Sequence, residues 1–130
     1  LEQELKREAG NDQRILFLDF QNQQSMPVVY RLADVFVLPS KGPGETWGLS
    51  VNEAMACAKP VIVSDKCGCA ADLVAENGFM FSAMNQGELE TIIRYFAAHQ
   101  TEISIMGKKS FSHIASYSFT NIAEAIESVT

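Results

Sequence analysis

The sequence predicts a doubly wound α/β domain, a parallel sheet with helices on both faces. Three observations lead there. Short runs rich in Val, Ile, Leu and Phe recur without the alternation of a half-exposed strand: RILFLDF at 14–20, VFVL at 35–38 and PVIVS at 60–64. Segments with helical spacing separate them, and Gly, Pro and Asn mark the junctions. Strands that read as continuous apolar runs are covered on both faces, which is the condition of a parallel sheet. At 130 residues the chain is one domain, 1–130, with enough side chains for a core.

Taken in order, residues 1–9 read as a helix stopped by Gly10-Asn11. Residues 14–20 read as a buried strand, with Phe17 in the core. A short helix covers 25–32, with Ser25 as N-cap and Pro27 in the first turn. A second strand, 35–38, ends at Pro39, and Phe36 faces the core. A glycine-rich loop, 40–47, leads into a helix over 48–57 that buries Met55. The third strand is 60–64, followed by a loop through Gly68 and a short helix at 70–75. Asn77-Gly78 turns into a small strand at 79–81. From 86 onward the chain is helical, Leu89, Ile92, Ile93 and Phe96 sharing one face. A last helix from about 120 puts Ile122, Ala125, Ile126 and Val129 on one side.

Composition narrows the function classes. Hydrophobic residues make up 47% and charged residues 20%, too apolar for a disordered chain. A net charge of −6 argues against a nucleic-acid surface, which needs clustered Lys and Arg. It leaves nucleotide ligands open, because backbone N–H groups at a helix start hold phosphate without a cation. No apolar run approaches the roughly 20 residues that span a bilayer. No signal-peptide core opens the chain, and no Met begins it; a cytoplasmic domain cut from a longer protein is expected, with a parent peripheral to the inner membrane face left open. Cys57, Cys67 and Cys69 are an odd number without enough partners for a zinc site, so neither disulfide nor metal is expected.

In parallel sheets ligands bind beyond the carboxyl ends of the strands, which directs attention to the run 39–74. Its glycines, Gly42, Gly44 and Gly48, let backbone approach a ligand. The N–H groups of Gly48, Leu49 and Ser50 at the following helix start form an anion site. Two acids, Glu45 and Glu53, flank it with seven residues between them. A carboxylate beside a phosphate is unfavourable unless it has another task, and accepting hydrogen bonds from sugar hydroxyls is one. An acid on either side of a diphosphate suits a nucleoside-diphosphate sugar.

The stretch 45–62, ETWGLSVNEAMACAKPVI, resembles the E-x7-E segment of the C-terminal domain of GT-B-fold retaining glycosyltransferases, glycosyltransferase family 4 (group 1). Tyr30, Ala33-Asp34 and the run to Ser40 fit the same pattern, as does 68–74; the likeness is dense from 14 to 81. The resemblance implies a Rossmann-like, truncated C-terminal GT-B domain that binds the donor of a metal-independent hexosyltransferase, with no cofactor. It assigns Glu53 to the ribose hydroxyls and Glu45, the candidate catalytic residue, to the donor sugar. The backbone of Trp47, Gly48, Leu49 and Ser50 would hold sugar and diphosphate, and the loop Phe20, Gln21, Asn22 and Gln23 would lie along the base. The expected partners are a nucleoside-diphosphate sugar and an N-terminal acceptor domain, whose absence leaves this fragment inactive and a surface open to self-association.

The sequence departs from the family pattern at Trp47 for Phe or Tyr, Ala58 and Cys69 for Gly, Asp72 for Glu, and Asp19 for Gly. The family's phosphate-neutralising Arg and Lys are not seen; Lys41, Lys59 and Lys66 read as solvated surface residues. A flavodoxin-like regulatory module is the alternative, with Asp19 and Lys66 as its acid and lysine, and a non-catalytic nucleotide-binding homologue is another. Tyr30 reads as a packing residue; His99 and His113 read as surface or core-edge residues.

Overall fold

The computed structural model describes residues 1–43 and 45–128. Its centre is a three-stranded parallel sheet in the order β1 (Phe36–Leu38), β2 (Val61–Ser64), β3 (Gly78–Phe81). Val37 lies opposite Ile62, and Ile62 opposite Phe79. Eight further segments surround the sheet: α1 (Glu2–Ala9), α2 (Met26–Leu32), α3 (Leu49–Ala56), α4 (Ala70–Leu73), α5 (Gln86–Ala98), α6 (Gln100–Ile114), a 3-10 turn (Ala115–Tyr117) and α7 (Phe119–Ser128).

Alternation along the strands builds two cores. Val61 and Val63 point to one face, where Tyr30, Val51, Ala54, Met55, Cys69 and Leu73 from α2, α3 and α4 close over them. Ile62 points to the other face and meets Phe81, Ile92 and Phe96. All of β2 is buried, which explains why Val61, Ile62 and Val63 are all apolar; Ser64, at its end, is buried with its hydroxyl hydrogen-bonded. Removing each large aliphatic side chain from water stabilises the fold by about 1.5–3 kcal/mol. On the second face Phe79, Tyr95 and Phe96 meet edge to face, with ring centroids 5.2–5.7 Å apart. Asn77, almost fully buried, has its polar atoms satisfied: it donates to the Leu73 carbonyl and to Ser110 Oγ and accepts from the Ala75 N–H.

Local chemistry sets the helix ends. Gly10 takes a φ of 56° and closes α1. Ser25 occupies the N-cap position of α2, but its side chain makes no capping bond. Asn22 does that work instead: its carbonyl accepts from the Ser25 and Met26 N–H groups and its side chain from Ser25 N–H. Helix α3 ends in a Schellman arrangement, Lys59 N–H to the Ala54 carbonyl and Ala58 N–H to Met55, with Ala58 at φ 56°.

Residues 14–20 are not a strand. Arg14 lies in a turn and residues 15–20 form no regular secondary structure and have no ladder partner, and Leu16, Leu18 and Phe20 are 80%, 66% and 94% exposed. Phe17 is outside the core, with the Lys6 ammonium 5.6 Å from its ring centroid. The physical reason is twofold. Among the described residues only β2 pairs with β1, so residues 14–20 have no hydrogen-bonding neighbour and no sheet face to lie on. At its start the segment is turned by Asp12, whose carboxylate binds the Arg14 N–H and guanidinium. Ile93 also differs from the helical pattern: Ile92 and Phe96 are buried, whereas Ile93 is half exposed at the rim of a groove with Asp34, Val37 and Ile103. In α7 the Ile126 side chain is exposed; Val129 and the Ile122 side chain lie outside the described residues.

Candidate functional site

The loops after β1 and β2 and the amino end of α3 gather at one edge of the sheet. Ser64 Oγ, at the end of β2, donates to the Ser40 carbonyl beyond β1 at 2.5 Å and accepts from the Lys66 N–H. Gly48 is the N-cap of α3 at φ 101°, ψ 57°, a left-handed conformation that suits glycine. A Cβ there would also stand 3.2 Å from both the Cys69 Sγ and the Leu38 Cδ2. Glycine is therefore required twice, by backbone angle and by space.

Gly48 itself is buried, and the start of α3 keeps backbone N–H groups without partners among the described residues. Val51 N–H returns to the Gly48 carbonyl, while the N–H groups of Gly48, Leu49 and Ser50 have no partner among the described residues, and no side chain caps the helix. Leu49 is 69% exposed at this end and Ser50 is partly exposed. Unpaired donors and the positive end of the helix dipole together favour an anion.

A second loop clamps the first from beneath. Cys69 N–H donates to the Trp47 carbonyl at 3.0 Å, and any Cβ on Gly68 would strike the Thr46 carbonyl. Burial pushes the Cys69 thiol up to about 11, with Cys67 and the charges of Glu45 and Asp72 adding to it. The thiol thus stays neutral at physiological pH and adds no negative charge at the anion-binding tip. The Trp47 ring turns inward against the first core, and its indole N–H donates to Asn52 Oδ1 at 3.0 Å.

Glu45 and Glu53 have different neighbours. Glu45 is partly exposed beside the Cys69 end of α4, and neither ion pair nor hydrogen bond holds its carboxylate among the described residues. Glu53, on the second turn of α3, faces α2, where Tyr30 donates its hydroxyl to Glu53 Oε2 at 2.7 Å. No Lys or Arg pairs with either acid among the described residues. Lys59 donates to the Arg31 carbonyl, and Lys41 and Lys66 are exposed.

Other residues singled out in the sequence have local contacts of their own or are exposed. Phe20 is exposed, Gln21 donates to the Asp19 carbonyl, Asn22 caps α2, and Gln23 is exposed. Gly44 lies outside the described residues. His99 is exposed and stacks on Tyr95; His113 is partly exposed beside Tyr117. Asp19 lies on the irregular segment 15–20 near Lys6. The described residues contain no group of three or more His, Cys, Asp and Glu side chains arranged for a metal.

Sequence reasoning read Tyr30 as a packing residue and Gly68 as a loop position, and missed the Tyr30 hydroxyl bond to Glu53 and the close approach of Gly68 to the Thr46 carbonyl. The signal for Tyr30 was present: a lone phenol in an apolar helix, MPVVYRL, marks a hydroxyl that needs a buried partner.

Comparison with known proteins decides the family. The family model described as glycosyl transferases group 1 matches residues 1–113. The chain belongs to this family. It is 27% identical over 124 residues to a D-inositol 3-phosphate glycosyltransferase of Nocardia farcinica, covering 95% of this chain and 27% of that protein. The protein of the same description from Mycolicibacterium gilvum is 29% identical over 126 residues, 94% of this chain and 27% of the relative. Among solved structures, sucrose-phosphate synthase from Thermosynechococcus elongatus superposes with a TM-score of 0.84 at 25% identity, over 98% of this chain and 32% of that one. The chain thus spans about a quarter to a third of the relatives it matches.

Family membership gives the departures a structural sense. Ala58 stands where glycine is common, and its backbone is left-handed, the conformation glycine adopts without cost. Cys69 fills the space under Gly48 with a thiol. Trp47 supplies an indole N–H to Asn52 that Phe lacks. Among the described residues no helix is long and apolar enough to cross a membrane.

Proposed function

We propose that this chain is the donor-binding part of a retaining, metal-independent glycosyltransferase that moves a hexose from a nucleoside-diphosphate sugar to a glycan or lipid-linked acceptor. The observation that supports the reading is the start of α3: three N–H groups without partners among the described residues, with Glu45 and Glu53, neither paired with a cation, on the loop before it and on its second turn. The N–H groups of Gly48, Leu49 and Ser50 receive the diphosphate. Glu45 accepts hydrogen bonds from donor-sugar hydroxyls and Glu53 from the ribose. The loop Phe20 to Gln23, which leads into α2, lies toward the base.

The chemistry follows from where charge develops. As the anomeric carbon–oxygen bond breaks, negative charge builds on the leaving diphosphate, and oriented N–H donors stabilise it with no reorganisation. Attack from the same face retains the anomeric configuration. The acceptor and the remaining groups of the cleft come from an N-terminal domain in the parent, a cytoplasmic protein, so this chain alone binds nucleotide weakly and turns nothing over. The surface that meets that domain leaves the separate chain prone to self-association.

Calorimetric titration with UDP-, GDP- and ADP-sugars tests the reading. One of them binds, and Glu53→Ala weakens it by about tenfold through lost charge-assisted hydrogen bonds. Unchanged affinity in Glu53→Ala contradicts the assignment.

A further inference from the structure

The Tyr30–Glu53 contact joins two elements that differ in what they offer a ligand. Tyr30 is 6% exposed and fixed by packing: its ring meets Phe36 edge to face at 5.6 Å and lies within the first core. Phe in its place would satisfy that packing. The hydroxyl needs its own reason, and the bond to Glu53 Oε2 is the hydrogen bond it makes. Glu53 is partly exposed, and its Oε1 has no partner among the described residues.

We infer that Tyr30 is a positioning residue that sets which face of the Glu53 carboxylate meets the ligand, and through it the preference for a ribose diol. A free Glu side chain samples several rotamers, and a ligand that fixes it loses the corresponding entropy. The phenol removes that freedom in advance. It occupies one lone pair of Oε2 and leaves Oε1 and the outer lone pair of Oε2, two acceptors in one plane, for the adjacent 2′ and 3′ hydroxyls. Burial, followed by the bond to Glu53, raises the Tyr30 hydroxyl well above the ordinary phenol range, so it remains a donor at every physiological pH. The inference rests on the reading of Glu53 as the ribose acceptor and adds the residue that aims it.

The test uses the 130-residue chain with UDP, GDP and ADP, each against its 2′-deoxy counterpart, followed by NMR titration. The wild type prefers the ribonucleotide. Tyr30→Phe, which removes one oxygen and keeps the ring, narrows the ribo-to-deoxy ratio by about fivefold, the order expected when a positioned side chain regains its rotamers. Affinity for the deoxynucleotide stays within about twofold. In a Glu53→Ala background the same substitution leaves the ratio unchanged. A purely structural role for Tyr30 would instead weaken both nucleotides together in both backgrounds, and that result overturns the inference. A nucleotide that binds with the same ratio in wild type and Tyr30→Phe overturns it as well while leaving the donor-site reading intact. Failure of all three nucleotides to bind the wild type refutes the donor-site reading and the inference with it.

Discussion

Two apolar runs, RILFLDF at 14–20 and PVIVS at 60–64, look alike as sequence and end in opposite environments. Val61, Ile62 and Val63 are at most 1% exposed, whereas Ile15, Leu16, Phe17 and Leu18 range from 43% to 80%. The second run has β1 and β3 on its flanks and helices on both faces. The first has neither a ladder partner nor a covering layer. An apolar run is thus a strand only when the rest of the chain provides neighbours, because the backbone groups of a strand must be paired from outside it.

Stability measurements sharpen this contrast. The largest effect is expected in the packed region: Leu73→Ala or Met55→Ala, both fully buried, lowers unfolding free energy by about 2–5 kcal/mol in urea titrations. Leu16→Ala, in the exposed run, stays within about 0.5 kcal/mol. Equal losses at both places would dissolve the distinction.

A smaller effect belongs to the clamp between the two loops. Gly68→Ala puts a methyl against the Thr46 carbonyl and costs about 1–3 kcal/mol by thermal or urea unfolding. It also displaces the Glu45 loop, so nucleotide-sugar affinity falls more than stability alone explains. Loss of stability with full ligand affinity would show that the clamp supports the fold and not the site.

The smallest effect is a gain. Ala58→Gly relieves a left-handed alanine at the end of α3, and about 0.5–1 kcal/mol of added stability is expected after the greater freedom of glycine in the unfolded chain is subtracted. A melting temperature unchanged or lowered would mean that the turn tolerates the alanine without strain.

Much of the fold was legible because local chemistry and tertiary context agree there. The strands at β1 and β2 and helix α3 fall within a residue or two of their expected bounds, since Pro39 and Pro60 punctuate them and Gly48 opens the helix. The segment 14–20 was misread because its apolar pattern says nothing about whether a neighbouring strand is at hand. Ser25 stands at the expected N-cap position but its side chain makes no capping bond, while Asn22, three residues earlier, supplies both a carbonyl and a side-chain oxygen to the Ser25 N–H. At the site, Gly48 marked the start of α3. The hydroxyl of Tyr30 stayed hidden, since a hydrogen bond across 23 positions leaves no periodic trace.

The central claim is that the α3 tip is an anion-binding floor, and backbone amide chemical shifts test it most directly. On addition of the tightest-binding nucleoside diphosphate, the N–H resonances of Gly48, Leu49 and Ser50 should shift most and saturate together. Binding that leaves those three amides in place and moves resonances elsewhere would contradict it.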